Sequence, residues 1–482
     1  MLQPERKEFT PRAYSGLITD FICDTRRGML MADMGMGKTV GGLTAYDMLL
    51  FSGHETKPLL VVAPLRVARS VWLDESKKWN HLSNIIVSPI VGSVDERRAA
   101  LRKDASVYTI NYENIPWLIE ELGDRWPFGM IIPDESTRLA GLRISIRISK
   151  KGKKYAQGQG TLRARKLAKM AWQHRGSRWM NLSGTPAPNG LKKLYGQVWY
   201  CDFGARLGNS YTAFQNRYFT IERDGYKLVP LPGSDRLIHN AIKDICMSVL
   251  AKDYFDLREP IAVPVRVELP TKARMLYRRM EKELFLQVGD RKVEAKNAGS
   301  KAMKLLQLAS GAIYLDPETI DDSDPRAKEW AEVHDEKILA LQSIVEESGG
   351  VPLIVAYQFR SDEERLRKAF PKMRFLETKK DEDDFKAGKV QMIGIHPASG
   401  GHGIDGFQHV TNRICFFSQW PDYELRDQLI GRIGPVRQFQ AGYERPVYIY
   451  DIIATGTRDE DVIESHVSKR ETQDFLLEAM RR

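Results

Sequence analysis

Cysteine and long apolar runs are scarce in this sequence. Four cysteines stand far apart among 482 residues, with no CxxC pair and no histidine at a metal-ligand spacing. We therefore expect neither a disulfide framework nor a zinc site. The N-terminal MLQPERKEFTP is charged where a signal peptide is apolar, and no apolar stretch approaches the length that crosses a bilayer. These absences predict a protein of the reducing cytoplasm with no membrane partner.

Acidic residues are missing from one long stretch. Between Glu135 and Asp202 there are none, although the whole chain is only moderately basic, with 73 Lys+Arg against 63 Asp+Glu. The formal charge of +10 suits a polyanionic partner, but it also suits an ordinary basic enzyme. The hydrophobic fraction of 42% excludes a disordered tail, and the length allows two or three cores.

Short apolar runs alternate with longer amphipathic stretches in two parts of the chain. The runs are GMLMAD, LLVVAP, VYTIN, MIIPDE and WMNLSGT in the first part, and PLIVAYQF, VQMIGIHP, NRICFFSQ and PVYIYDII in the second. This alternation is typical of parallel sheets covered by helices. We predict an α/β fold with two doubly wound parallel-sheet lobes, residues 1–193 and 326–482, separated by a mainly helical inserted segment, residues 194–325.

Residues 32–39, ADMGMGKT, follow a predicted strand and precede a predicted helix, which is the context of a phosphate-binding loop. The helix N-terminus adds a partial positive charge. Lys38 would reach the β- and γ-phosphates of ATP, and Thr39 would bind Mg²⁺. The strict pattern is broken at Ala32, where glycine is usual. A glycine-rich turn that binds nothing is the alternative. The backbone amides that would approach the phosphates belong to Gly35, Met36 and Gly37.

Two adjacent carboxylates follow the predicted strand MII. Asp134 and Glu135 would lie at the carboxyl edge of the sheet, beside the phosphate loop. Asp134 would hold Mg²⁺ through water, and Glu135 would orient and deprotonate the attacking water. Such a pair alone is more often a solvated loop, but its position downstream of a phosphate loop favours a catalytic role.

The order of several motifs resembles superfamily-two helicases, and within them the compact bacteriophage versions of the Swi/Snf-type DNA translocases. The resemblance implies two RecA-like lobes and spans about Phe9 to Gln438. Its motifs are DMGMGKT, VVAPLRVARSVWLDESKKW, PDEST, LSGTPAPNG, ASGGHGID and QLIGRIG.

The resemblance also implies roles for further residues. Ser183, Thr185 and Pro186 match the motif that couples hydrolysis to lobe movement, and Gln428 matches another coupling position beside Trp420. Pro64 and Arg66 match a stretch that meets the DNA backbone. Gly403 and Asp405 match a glycine-rich motif at the nucleotide, and Arg432 matches the first catalytic arginine of the last motif.

Three positions depart from the family pattern. The usual adenine-binding glutamine is replaced by Ala13, which puts adenine selectivity in doubt. Asp405 stands where asparagine is usual. Pro435 replaces the second arginine of the last motif, and an arginine returns only at Arg437. Because proline cannot donate to a helix, we expect the helix to end near Ile433 and Arg437 to act as the second catalytic arginine. The alternative is that Arg437 only caps the helix end or pairs with a surface carboxylate.

Two groups of basic residues are candidate DNA contacts. One lies in the stretch without acidic residues, where repulsion favours neutralisation by phosphates; the alternative is a solvated loop. The other places Arg274 and Arg278 on one helix face, where a bland basic face is the alternative. The lysines of the first group are Lys150, Lys151, Lys153 and Lys154.

These features predict an ATP-hydrolysing motor, using ATP and Mg²⁺, that moves on double-stranded DNA by lobe closure and remodels DNA or bound protein. A strand-separating or branch-migrating helicase is the first alternative, but it needs a wedge that no motif identifies. A nucleic-acid-binding protein with a degenerate ATPase is the second. We expect a monomer in the cytoplasm, which is the host's if the chain is viral; the motifs identify no protein partner.

Overall fold

The computed structural model describes residues 5–150, 152–188, 190–221, 228–283, 285–288, 291–295, 297–316, 329–400 and 404–481. The chain forms two compact units, the first from Met1–Asp256 with Lys469–Arg482 and the second from Leu257–Ser468. Residues of the expected inserted segment are therefore shared between the units, because those up to Asp256 fold with the first and those from Leu257 with the second.

Among its described residues, the first unit contains a seven-stranded parallel sheet and two small hairpins. The strand order in the sheet is β11-β1-β8-β5-β2-β4-β3. The hairpins pair β6 with β7 and β9 with β10. The strands are β1 (Arg27–Ala32), β2 (Leu59–Ala63), β3 (Val87–Ile90), β4 (Val107–Asn111), β5 (Met130–Pro133), β6 (Arg143–Ile148), β7 (Lys154–Gln159), β8 (Arg178–Ser183), β9 (Phe219–Ile221), β10 (Leu228–Pro230) and β11 (Cys246–Val249).

Helices accompany this sheet, as the alternating pattern predicts. The central strands β2, β4 and β5 are buried along their whole length, which explains why their sequences are continuous apolar runs. The helices of the first unit are α1 (Ser15–Asp24), α2 (Lys38–Phe51), α3 (Trp72–Lys78), α4 (Val94–Leu101), α5 (Ile115–Leu122), α6 (Leu162–Gln173), α7 (Leu194–Asp202), α8 (Tyr211–Tyr218) and α9 (Ser234–Ile242).

The described part of the second unit contains a six-stranded parallel sheet with the order β12-β21-β20-β17-β19-β18. Two hairpins pair β13 with β14 and β15 with β16. The strands are β12 (Ile261–Val267), β13 (Phe285–Val288), β14 (Arg291–Glu294), β15 (Ala312–Tyr314), β16 (Trp330–Glu332), β17 (Leu353–Ala356), β18 (Arg374–Phe375), β19 (Met392–Ile395), β20 (Arg413–Phe416) and β21 (Tyr448–Ala454).

The helices of the second unit follow the same alternation after its first hairpins. They are α10 (Thr271–Glu283), α11 (Ala298–Ser310), α12 (Glu336–Glu347), α13 (Arg360–Ala369), α14 (Lys379–Lys386), α15 (Pro397–Gly400), α16 (Tyr423–Ile430), α17 (Pro435–Gln440) and α18 (Arg458–Ala479). The last part of α18 belongs to the first unit, where Leu476, Leu477 and Met480 are buried in its core. Within the described ranges, no helix is both long enough and apolar enough to cross a membrane.

Candidate nucleotide site

The loop between β1 and α2 has the backbone of a phosphate-binding turn. Gly35 and Gly37 have φ of +85° and +71°, a conformation that glycine adopts without a steric penalty. Lys38 begins α2, and its Nζ donates to the carbonyl oxygens of Ala32 at 2.5 Å and Asp33 at 3.2 Å. The lysine charge is therefore held over the loop at a helix N-terminus, which favours an anion.

Asp134 follows β5 and faces the same loop. Its side chain is buried, and its Oδ2 accepts a hydrogen bond from Trp72 Nε1 at 3.0 Å. Burial raises the pKa of Asp134, while the Trp72 hydrogen bond and the nearby charge of Lys38 oppose the rise. A carboxylate oxygen and the Thr39 hydroxyl at the start of α2 are hard ligands of the kind that Mg²⁺ prefers, so this donor set fits the ion.

Glu135 has a strained backbone. Its φ of +57° places it in the left-handed region, which is uncommon for a residue other than glycine. The buried Tyr112 hydroxyl donates to the carbonyl oxygens of Asp134 at 2.9 Å and Glu135 at 3.3 Å. Strain of this kind concentrates at functional sites, where the surroundings hold the conformation. Neither Trp72 nor Tyr112 could be assigned to the site from the sequence, because each contacts the Asp134–Glu135 segment from a distant part of the chain.

The LSGTP loop follows β8, beside the Asp134 loop. Within it, the Ser183 Oγ accepts from the backbone amide of Thr185 at 3.1 Å. Gln197 on α7 joins the two loops, because its Oε1 accepts from Ser136 Oγ at 2.8 Å and its Nε2 donates to the Pro186 carbonyl at 2.8 Å. This buried glutamine was not predicted, since a single amide on a helix gives no local signal.

A second glutamine reaches the LSGTP loop from the C-terminal helix. Gln473 on α18 is buried; its Oε1 accepts from the Ala187 amide at 3.3 Å, and its Nε2 donates to the Gly184 carbonyl at 3.4 Å. The turn of the helix that follows is fixed to β11, where Ser248 Oγ donates to the Leu477 carbonyl at 2.5 Å. The LSGTP loop is therefore supported by a segment far away in sequence.

In the second unit, the predicted arginines contact the Asp405 segment. The Arg432 guanidinium donates to the Ile404 carbonyl at 2.9 Å, and Arg437 forms an ion pair with the Asp405 carboxylate. Gln428 is buried and its Nε2 donates to Glu424 Oε1 at 3.4 Å. Gly403 lies outside the described residues.

The helix that precedes Arg432 ends as Pro435 predicts, although a few residues earlier. The helix α16 stops at Ile430, and Pro435 takes the first turn of α17, where its missing amide leaves no hydrogen bond unmade. Arg437 therefore leaves the face of α16 that Gln428 occupies. Trp420 is buried and packs edge-on against the His396 ring, with centroids 4.7 Å apart.

Comparison with known proteins gives the family of this chain. The family model described as the SNF2-related domain matches residues 16–309. The chain belongs to the SNF2-related family. A curated relative, "Putative protein p41" of Acyrthosiphon pisum secondary endosymbiont phage 1, is 50% identical over 99% of this chain and 100% of its own length. As the motifs imply, this SNF2-related protein is an ATP-hydrolysing, helicase-like enzyme.

Two solved structures align with this chain to different degrees. The Pyrococcus furiosus Hef helicase domain aligns with a TM-score of 0.51 and 14% identity over 94% of this chain and 98% of its own. The Sulfolobus solfataricus SWI2/SNF2 ATPase core in complex with dsDNA aligns with a TM-score of 0.41 and 18% identity over 99% and 95% of the two chains. The two parallel sheets, together with the Hef alignment, confirm the predicted α/β class with RecA-like lobes.

The candidate DNA contacts of this SNF2-related chain lie in different surroundings. Lys150 and Lys153 are exposed near the tip of the hairpin formed by β6 and β7. Lys151 lies outside the described residues, and Lys154 begins β7 with a side chain that the structure does not describe. Pro64, at the end of β2, is buried, and Arg66 is half-buried.

The two candidate arginines on α10, Arg274 and Arg278, have different surroundings. The Arg274 guanidinium donates to the carbonyls of Thr455 at 2.6 Å and Gly456 at 3.0 Å, so it supports the loop before α18. Arg278 is exposed. Of the two, Arg278 is the better placed for a phosphate, because Arg274 would have to leave two backbone partners.

Proposed function

We propose that this SNF2-related protein is a motor that translocates along double-stranded DNA as a monomer and remodels the DNA or proteins bound to it. The observation that supports a working nucleotide site is the closeness of the Lys38 ammonium to the buried Asp134 carboxylate, at the edge of one parallel sheet. This is the edge at which doubly wound folds bind their ligands.

In the proposed mechanism, the amides of residues 35–37 and the start of α2 bind the phosphates of ATP. Lys38 exchanges its carbonyl partners for phosphate oxygens. Thr39 and Asp134 would hold Mg²⁺, which supplies neutralisation of the phosphate charge. Glu135 takes the proton from the attacking water. Its backbone is held by Tyr112, which fixes the point from which the side chain extends.

Coupling is assigned to the LSGTP loop. Gln197 joins this loop to Ser136, next to the proposed base, so a change at the γ-phosphate would be transmitted to Pro186. We propose that Arg432 and Arg437 complete the site when the lobes close over ATP. For that step Arg437 would exchange the Asp405 carboxylate for a phosphate, the same kind of planar, charge-assisted contact.

The test is an ATPase assay without nucleic acid, then with single-stranded DNA, duplex DNA and duplex RNA, together with displacement of a triplex-forming strand from duplex DNA. A duplex-DNA translocase should hydrolyse ATP fastest on duplex DNA and displace the third strand only with ATP. Absence of any stimulation by duplex DNA would instead favour the degenerate ATPase. Stimulation without triplex displacement would also contradict the proposal.

A further inference from the structure

The hairpin of β6 and β7 exposes large apolar side chains in a basic surrounding. Ile146 is 40% exposed, Ile148 67% and Tyr155 48%. The charged residues of the hairpin itself, Arg147 among them, are all basic, because residues 136–201 include no acidic residue. Acidic partners from outside this stretch, Glu113 and Glu120, pair with basic residues that lie beyond the hairpin strands. Clustered apolar side chains at a surface indicate contact with a partner, since water is a poor environment for them.

The strand register separates these side chains onto two faces. Ile146 pairs with Ala156, and alternation places Ile148 on the same face. Arg147 pairs with Tyr155 on the opposite face. The hairpin is therefore a ribbon with an aliphatic side and a side that combines a guanidinium with an aromatic ring.

The base of the hairpin is firmly rooted in the first unit. Ile144 is buried in the core, and Arg143 lies over the Tyr211 ring at 4.7 Å from its centroid. The two strands leave the domain at a close crossing, where a Cβ on Gly160 would stand 2.4 Å from the carbonyl oxygen of Gly141. The base of the hairpin is therefore held in place by core packing and by the close approach of its two strands.

Charge and shape indicate which partner fits. The all-basic stretch is complementary to phosphates, which favours nucleic acid over a protein of mixed charge. A two-stranded ribbon fits the major groove but not the minor groove, which is about 6 Å wide. Major-groove edges are mostly polar, and phosphates offer nothing to isoleucine. Apolar side chains fit the faces of bases. In a paired duplex these faces are reached by wedges inserted from the minor groove, which a ribbon does not enter, so a ribbon meets them where the duplex has opened.

We infer that this hairpin is a wedge that packs against base faces at the junction between duplex and single strands, so the motor separates strands as it advances. The aliphatic face of Ile146 and Ile148 would cover the terminal base pair. Tyr155 and Arg147 would stack on a displaced base, while Lys150 and Lys153 hold its phosphates. The inference rests on the proposed translocation, because a wedge acts only when driven along DNA.

The experiment compares the parent protein with Ile146→Ser plus Ile148→Ser, and with Tyr155→Ser. A matched control is Ile221→Ser, since this isoleucine is also exposed, at 63%, on a small hairpin of the same unit. Forked duplexes with a fluorophore and quencher report unwinding, and duplex-stimulated ATPase and triplex displacement report the motor. Fluorescence of 2-aminopurine at the first base pair of the fork reports base contact.

The parent should unwind the fork when ATP is present. It should raise the 2-aminopurine signal even without ATP. The hairpin variants should lose that signal and about tenfold or more of the unwinding rate, because stacking contacts are removed, with ATPase and triplex displacement unchanged. The control should match the parent. A parent that displaces triplexes but never unwinds forks would overturn the wedge alone. Variants that unwind normally, or that lose ATPase stimulation in parallel, would also overturn it, whereas failure of triplex displacement in the parent contradicts translocation itself.

Discussion

The phosphate-loop region of the first unit and the segment around Arg432 and Arg437 in the second unit hold their carboxylates in different surroundings. Asp134 is buried, accepts from Trp72 and lies within the field of Lys38. Asp405 is exposed, and its carboxylate pairs with Arg437. A buried network is expensive to rearrange, whereas an ion pair whose carboxylate is exposed to water, as Asp405 is beside the largely buried Arg437, exchanges more easily. The first arrangement suits a preformed site, and the second suits groups that change partners during a cycle.

The largest loss of activity should come from substitutions in the preformed site of the first unit. Lys38→Ala should lose both nucleotide binding and turnover, because the charge over the loop is removed. Glu135→Gln should keep binding and lose turnover, since only the base is removed. Binding of a fluorescent ATP analogue and phosphate release measure the two properties. Hydrolysis at the parent rate by Glu135→Gln would show that another group is the base.

Variants of Arg432 and Arg437 should lose ATP turnover but keep ATP binding. Arg432→Ala and Arg437→Ala should each lower DNA-stimulated turnover, by up to on the order of a thousandfold, because an arginine at the transferring phosphoryl group acts mainly in the transition state. The dissociation constant for ATP should change little. If Arg437→Ala keeps the parent rate while Arg432→Ala is inactive, Arg432 alone is the catalytic arginine, and the contact with Asp405 is only a surface ion pair.

Breaking the hydrogen bonds between the LSGTP loop and the C-terminal helix should cause an intermediate loss of turnover. Gln473→Ala removes two hydrogen bonds to the loop and should lower kcat about tenfold with little change in KM, because loop position matters in the reacting state. Val467→Ala, at an exposed position of the same helix, is the matched control. Equal loss of kcat in both variants, or a fall in melting temperature that accounts for the loss, would reduce Gln473 to a residue of general stability.

The contrast between local and distant signals explains what could be predicted. The strands β1, β2, β4, β5 and β8 match the predicted apolar runs, with β1 and β8 beginning one residue earlier, and the phosphate loop lies between β1 and α2 as expected. Such features depend on neighbouring residues. β11 and β12 were not assigned to the sheets, because the pairing of β11 with β1, and of β12 with β21, joins segments far apart in sequence. Gln197 and Gln473 could not be predicted for the same reason, since the groups to which their amides hydrogen-bond lie elsewhere in the sequence.

The smallest effect should be on DNA affinity, from the basic residues of the β6–β7 hairpin, which are candidates for phosphate contacts that form and break. Lys150→Ala with Lys153→Ala should weaken duplex binding similarly for all sequences, because phosphates contribute no sequence information. The slope of log affinity against log salt should flatten by up to about one unit for each lost phosphate contact. Lys103→Ala, an exposed lysine outside the basic stretch, is the control and should leave the slope unchanged. An unchanged slope in the double variant would mean that these lysines are only solvated, and that the hairpin meets DNA through its apolar side chains or not at all.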